Sequence, residues 1–223
     1  MDIHKSEQVF DNAAAQPQNG GGRESYDERL NHILAAATRV FAREGYEKAS
    51  MRAVARESGV SLAGLYHYFD GKEKILFLIQ FRAFTSLLSN LREKLYGVDD
   101  PVEQLRKMIR AHVGYFCNNM AALKVCSHEL DSLSGAAYEE TRGIRREYYE
   151  LVRSVLYKIV QEHNPSSSLD LHIATMTLFG ALNWLYRWYH PDQDRSAAVL
   201  ARQIADQFLS GLIGSVNVVE TEI

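Results

Sequence analysis

Apolar residues recur every three or four positions along most of this chain, and no segment sustains alternation at every second position. The first period is that of an amphipathic helix and the second that of a strand, so the pattern predicts an all-α protein. Leu30, Ile33, Leu34, Ala37, Val40 and Phe41 fall on one face of a first helix, from about Tyr26 to Glu44, which Gly45 ends. Ser50 is a good N-cap for a second helix with Met51, Val54 and Ala55 inward, stopping at Gly59. Ser61 then caps a third, short helix whose expected buried positions are Val60, Leu65 and Phe69. A fourth runs from near Lys72 to Tyr96. Beyond a break at Gly97 to Pro101, helical segments are expected at about 102–119, 121–132, 136–163, 168–190 and 194–214.

Residues 1–24 fit no periodic segment. They include AAAQPQNGGG and carry too little apolar surface to order themselves, so a flexible arm is expected there. The remaining chain divides into a three-helix head, residues 25–71, and a larger helical body, residues 72–223.

Composition narrows the setting. The balance of 46% hydrophobic and 24% charged residues is that of a globular protein, and no apolar run is long enough to span a membrane. MDIHKSEQVF lacks the basic and apolar regions of a secretory signal, and two cysteines make no disulfide framework. Together these predict a cytoplasmic protein with reduced thiols. The net charge of −3 argues against a general polyanion binder. Between residues 25 and 76 there are eight basic and seven acidic side chains. Any nucleic-acid contact there must come from placed groups, not a basic stripe.

ASMRAVARESGVSLAGLYHYF has the layout of a helix-turn-helix: a capped helix, a short turn holding Gly59, and a second capped helix. Gly59 supplies the left-handed conformation the turn needs, and Val60 plugs the gap between the helices. The segment resembles the DNA-binding domain of the TetR family of bacterial repressors over roughly residues 27–78. The matching positions are Phe41, Gly45–Tyr46, Ser50, Val54–Ala55, Gly59–Val60–Ser61, Gly64, Tyr66, Tyr68–Phe69 and Lys72–Glu73. The resemblance implies a DNA-binding head and a body that binds a small-molecule effector and dimerises.

A recognition helix must bring its N-terminal residues close to the bases. Gly64 lets backbone approach, Leu62 and Ala63 offer apolar contact to thymine methyls, and Tyr66 and His67 can donate to phosphates or base edges. By the resemblance, Ser50, Arg52, Ser61, Tyr66, Tyr68 and Lys72 position phosphates, while Ser61, Leu62, Ala63, Gly64 and His67 face bases. Tyr68 serves equally well as a packing residue.

In the body, Leu171, Thr175, Leu178, Leu182, Leu185 and Tyr189 repeat at helical spacing, and Thr177, Ala181, Trp184 and Trp188 form a second face. A helix apolar on two faces is buried on two sides. The resemblance places a homodimer seam on the last helices, with Leu171, Thr175, Leu178, Leu182, Trp188, Leu200, Ile204 and Phe208 as its candidates. The middle helices supply candidate effector contacts: Phe84, Leu88, Met108, His112, Tyr115, Phe116, Leu130, Tyr148 and Val152. In NWLYRWYHPD, Trp184 and Trp188 are one turn apart, as are Asn183 and Arg187, and an arginine beside tryptophans can hold a phosphate or carboxylate. This stretch resembles TetR-like regulators that sense acyl-CoA thioesters.

No nucleophile–base constellation, phosphate loop or convincing metal-ligand spacing is apparent, so neither an enzyme nor a cofactor is expected. The expected function is a transcriptional regulator, read as a repressor, released from double-stranded operator DNA by an effector, with no membrane partner. The alternatives are a helical small-molecule-binding protein with no DNA role and a TetR-like regulator of an efflux system sensing a hydrophobic drug-like ligand.

Overall fold

A computed structural model describes residues 25–214, so the arm expected over residues 1–24 lies outside the described residues. Ten α-helices and one short 3-10 turn make up the described chain, which contains no strand. The helices are α1 (Tyr26–Glu44), α2 (Met51–Ser58), α3 (Leu62–Tyr68), α4 (Lys72–Leu95), α5 (Pro101–Cys117), α6 (Met120–His128), α7 (Gly135–His163), α8 (Leu171–Asn183), α9 (Leu185–Trp188) and α10 (Ala197–Ile213).

Local chemistry explains most of the boundaries. Ser25 and Glu28 form a reciprocal capping box that starts α1. Ser50 Oγ accepts the Ala53 amide and Ser61 Oγ accepts the Gly64 amide, starting α2 and α3. Asp100 accepts the amides of Val102 and Glu103 while Pro101 takes the first helical position of α5. Asp170 caps α8 through the amides of His172 and Ile173, and those bonds hold its carboxyl below the usual carboxylate range.

Two expected helices are interrupted. The segment expected at 121–132 ends at His128 and tightens into the 3-10 turn Leu130–Ser132. The one expected at 168–190 breaks at Trp184, whose carbonyl accepts the Arg187 amide in an i,i+3 bond that opens α9. Asn, Trp and Tyr are weak helix formers, so NWLYRWY gives little propensity to resist the break.

The described helices group into two compact units that cut across the boundary expected at residue 71. The first unit reaches Ser86 and adds residues 118–145; the second comprises residues 87–117 and 146 onward. The first has a continuous apolar core. Ile33, Leu34, Ala37, Val40 and Phe41 of α1 meet Val54 of α2, Leu65 of α3, Phe69 just after it, Ile75, Leu76 and Ile79 of α4, and Val125 of α6. Thus α6 and the start of α7 belong with the head by packing, although they lie far along the chain. In the second unit α10 packs along α5, and α8 packs against α5 as well. Its buried residues include Leu105, Ile109 and Val113 of α5, Val155 and Ile159 of α7, and Ala201, Ala205 and Leu209 of α10.

Of the four glycines with positive φ among the described residues, two lie at the turns that bound α2. Gly59 sits at φ 65°, ψ 19°, the left-handed region, and Gly45 at φ 80°, ψ 148°, a region that is almost glycine-only. A Cβ at either position would touch nothing, so any cost of substitution is backbone strain alone. Gly59→Asn is therefore expected to lower stability by under about 1 kcal/mol, because Asn tolerates the left-handed region, and Gly45→Asn by about 1–3 kcal/mol. Urea unfolding of the two variants checks the order.

Candidate functional site

The helix-turn-helix builds an interface from very short elements. Leu65 and Phe69 are buried at 0% and 1% exposure, which anchors the seven-residue α3 and fixes which of its sides faces outward. Ser50, Arg52, Ser61, Ala63, Tyr66 and His67 are exposed. The hydroxyls of Ser50 and Ser61 use their oxygens as cap acceptors, which leaves each O–H free to donate to a phosphate. Tyr66 is 51% exposed and presents its phenol to solvent.

The other four expected DNA contacts have first tasks inside the protein. Leu62 is half-buried against the head core, so only part of it can meet a base. Gly64 is required by internal packing: a Cβ there would lie 2.9 Å from Val60 Cγ1 and 3.1 Å from Ser61 Oγ. Tyr68, ambiguous in the sequence, is half-buried and stacks on Tyr26 with ring centroids 4.9 Å apart. Tyr26, at the start of α1, is a partner that spacing within the motif does not reveal.

Lys72 differs most from expectation. Its Nζ donates to the carbonyls of Tyr46 and Glu47 at 2.8 and 3.2 Å and lies 4.2 Å from the centre of the Tyr46 ring. One N–H remains for any phosphate. The same turn is held on its amide side, where Tyr46 N–H donates to Glu129 Oε1 at 3.3 Å. Ser132 Oγ donates to the other oxygen of that carboxylate. Gln80 Nε2 donates to the Glu129 carbonyl, and Arg145 reaches Gln80 Oε1 and the Cys126 carbonyl. Burial, with carboxylates nearby, pushes the Tyr46 phenol up to about 12, so the ring stays neutral. A chain of hydrogen bonds therefore runs from α7 through α4 to the Gly45–Glu47 turn that leads into α2.

The second unit holds a buried aromatic cluster on α5, α7 and α8. His112 is 1% exposed and its Nδ1 lies 3.0 Å from Tyr148 Oη. Its ring centroid is 4.8 Å from Phe116, 6.0 Å from Tyr148 and 6.5 Å from Phe179. Burial pulls the His112 pKa down to about 3, so the imidazole is neutral at ordinary pH. Its Nε2 has no hydrogen-bond partner among the described residues, a condition that costs about 1–3 kcal/mol when a polar atom is buried. Met108 and Val152 are buried in the same unit, and Leu88 with them; Tyr115 is half-buried. Phe179 was not among the expected contacts, although its spacing of four from Thr175 places it on the inward side of α8.

Several expected effector contacts lie elsewhere. Phe84 and Leu130 belong to the first unit, where Phe84 carries the Arg145 guanidinium over its ring and Leu130 packs against the head core. Asn183 is half-buried. Trp184 and Arg187 are exposed, and the guanidinium lies 6.0 Å from the Trp184 ring centre, so the expected arginine–tryptophan pair exists on the surface.

The face of α8 expected at a dimer seam is turned inward. Thr175, Leu178 and Leu182 are buried in their own unit at 0%, 1% and 2% exposure, so they cannot face a second copy. The outward side instead carries Ile173, Met176, Gly180 and Trp184. Leu200 is also buried, Leu171, Ile204 and Phe208 are half-buried, and Trp188 is 48% exposed. A helix apolar on both sides does not reveal in its sequence which side its own core takes.

Cys117 and Cys126 are free, and burial pushes their thiols up to about 11 and about 12. Among the described residues no three His, Cys, Asp or Glu side chains gather as a metal site, and no helix is long and apolar enough to cross a membrane.

Residues 98–212 match the family described as tetracyclin repressor-like, C-terminal domain, and residues 33–79 match bacterial regulatory proteins, tetR family. A TetR family transcriptional regulator, PfmR from Thermus thermophilus, is 33% identical, with a TM-score of 0.70 over 79% of this chain and 96% of that one. AibR in complex with isovaleryl coenzyme A and operator DNA is 24% identical, with a TM-score of 0.70 over 83% of this chain and 98% of that one. The transcriptional regulator FadR from Bacillus subtilis in complex with stearoyl-CoA is 22% identical, with a TM-score of 0.65 over 81% and 97%. At these identities the last two show likeness of fold.

Two measurements follow from the geometry. Lys72→Met removes two charge-assisted hydrogen bonds and should lower unfolding stability by about 1–3 kcal/mol. His112 links stability to pH: the unfolded ring takes a proton below about 6.5, the folded ring not until about 3. Stability is therefore complete above about pH 6.5 and is lost as pH falls through that window, at roughly 1 kcal/mol per pH unit from this group. Urea unfolding from pH 7 to pH 5 should show a steeper loss in the wild type than in His112→Leu.

Proposed function

We propose that this chain, which belongs to the TetR family of bacterial regulatory proteins, acts as a homodimeric repressor that an acyl-CoA thioester releases from its operator. A transcriptional regulator of this family binds DNA through the helix-turn-helix. The first unit, reaching Ser86 and including residues 118–145, is assigned to DNA contact through its helix-turn-helix, and the second, residues 87–117 and 146 onward, to effector binding and dimerisation. The observation that carries the reading is the exposed set Ser50, Arg52, Ser61, Ala63, Tyr66 and His67, oriented by the burial of Ala53 and Val54 in α2 and of Leu65 and Phe69 in and just after α3. It is rich in hydroxyl and ring donors and poor in charge, which suits sequence reading at close range.

The effector class is supported by the two acyl-CoA complexes among similar folds and by the His112–Tyr148–Phe116–Phe179 cluster, a mostly apolar interior with one polar group unmatched. Dimerisation is supported by the outward face of α8 and the residue that follows it, where Ile173, Met176 and Trp184 are 62%, 50% and 54% exposed. Half-buried Ile204 and Phe208 of α10 extend the candidate seam. A two-fold dimer suits half-sites about 34–36 Å apart on one face of DNA. About 1.4 kcal/mol of coupling between effector and operator already changes DNA affinity tenfold.

A shift assay with the DNA upstream of its own gene tests the core of this reading. Binding should be sequence-specific and salt-sensitive, and Tyr66→Ala should weaken it about tenfold or more without loss of folding. Acyl-CoAs should release the complex; release by uncharged drug-like compounds alone would favour an efflux regulator instead. Trp184→Glu should shift the protein from dimer to monomer in sedimentation and weaken operator binding in parallel, whereas an unchanged dimer would move the seam elsewhere.

A further inference from the structure

In the second unit Gln104 Oε1 and His112 Nε2 are both buried with no hydrogen-bond partner among the described residues, and His112 is the one that lies within a cluster of aromatic rings. His112 is enclosed by the rings of Phe116, Tyr148 and Phe179, and one edge of its imidazole is engaged by Tyr148 Oη at 3.0 Å. The other edge, Nε2, is buried and meets no partner among the described residues. A neutral imidazole has one donor and one acceptor. Whichever role Nδ1 takes toward Tyr148, Nε2 holds the opposite one. It either donates to an oxygen or accepts from a hydroxyl. Native structures rarely keep such an atom without a use for it.

We propose that His112 Nε2 is the contact for a single uncharged oxygen of the effector, a carbonyl or hydroxyl seated among the rings of Phe116, Tyr148 and Phe179. The inference rests on the acyl-thioester reading and refines it. The thioester carbonyl is one such oxygen, and a hydroxyl on the acyl chain is another. A carboxylate is disfavoured, because a neutral imidazole offers it no countercharge. Phe179 is half-buried where Phe116 and Tyr148 are fully buried, and it is the ring that gives way to the ligand. His112 thereby sets which acyl group is preferred, while surrounding apolar contacts supply binding that does not discriminate.

The test compares full-length wild type with His112→Phe by thermal shift and by release of bound DNA. The probes are short-, medium- and long-chain saturated acyl-CoAs, their S-alkyl thioether analogues, which lack the carbonyl, and their 3-hydroxyacyl counterparts. The wild type should prefer one oxygen-bearing ligand over its oxygen-free analogue by about tenfold, or ~1.4 kcal/mol. Preference for thioester over thioether identifies the carbonyl; preference for hydroxyacyl over saturated acyl identifies the chain oxygen. His112→Phe should lose that preference while its ligand-free melting temperature stays level or rises, a pattern that a purely structural histidine would not give. Should His112→Phe fail to fold, the smaller His112→Leu provides the same comparison. A preference retained in the variant, or no preference in a wild type that does respond to acyl-CoAs, overturns this inference and leaves the acyl-CoA reading intact. A wild type that responds to none of these ligands overturns both.

Discussion

A seven-residue helix has almost no stability of its own, because a helix must form several turns before its hydrogen bonds offset the cost of nucleation. Helix α3 has two turns, so it exists because Leu65 and Phe69 are buried against α1 and α4. The outward residues of α3 on the candidate DNA surface depend on that burial. The apolar anchor sets the rotation of the helix, and rotation decides that Tyr66 and His67 face solvent while Tyr68 turns toward Tyr26. Val60 sits at the other end of the arrangement, and only glycine at position 64 leaves room for it.

The Gly45–Glu47 turn is the second fixed point. Its carbonyls are held by Lys72 from the start of α4, and its amide is held by Glu129 from beyond α6. Charge-assisted bonds of this kind are stronger than neutral ones. They tie the entrance of α2 to Lys72, 26 positions from Tyr46, and to Glu129, 83 positions away in sequence. Arg39 and Arg43 also clasp Glu57 between α1 and α2, but these exposed pairs add little beyond geometry.

In the second unit the governing constraint is the opposite one, a polar group in an apolar place. Burial keeps His112 neutral, and its surroundings are aromatic. An apolar residue of similar size would fill the same space without the desolvation cost. That buried imidazole underlies the effector contact proposed above, whereas exposed Trp184, just after α8, and Trp188 of α9 underlie the proposed dimer surface.

The order of the helices and the limits of α1, α2 and α3 were legible in the sequence because they depend on local features: the three-to-four spacing of α1, the caps Ser50 and Ser61, and glycines 45 and 59; the breaks at Glu129 and Trp184 were not. The helix-turn-helix was legible for the same reason, since its positions lie within a few dozen residues. What sequence could not supply was any choice between two chemically equivalent sides. It could not say that Thr175, Leu178 and Leu182 face inward while Ile173, Met176 and Trp184 face outward, because both sides of α8 are apolar. Nor could it show that Lys72 is engaged by carbonyls, that Leu130 joins the head core, or that Phe179 completes the ring cluster around His112. Those facts depend on contacts between residues distant in the chain, and only the folded packing decides them.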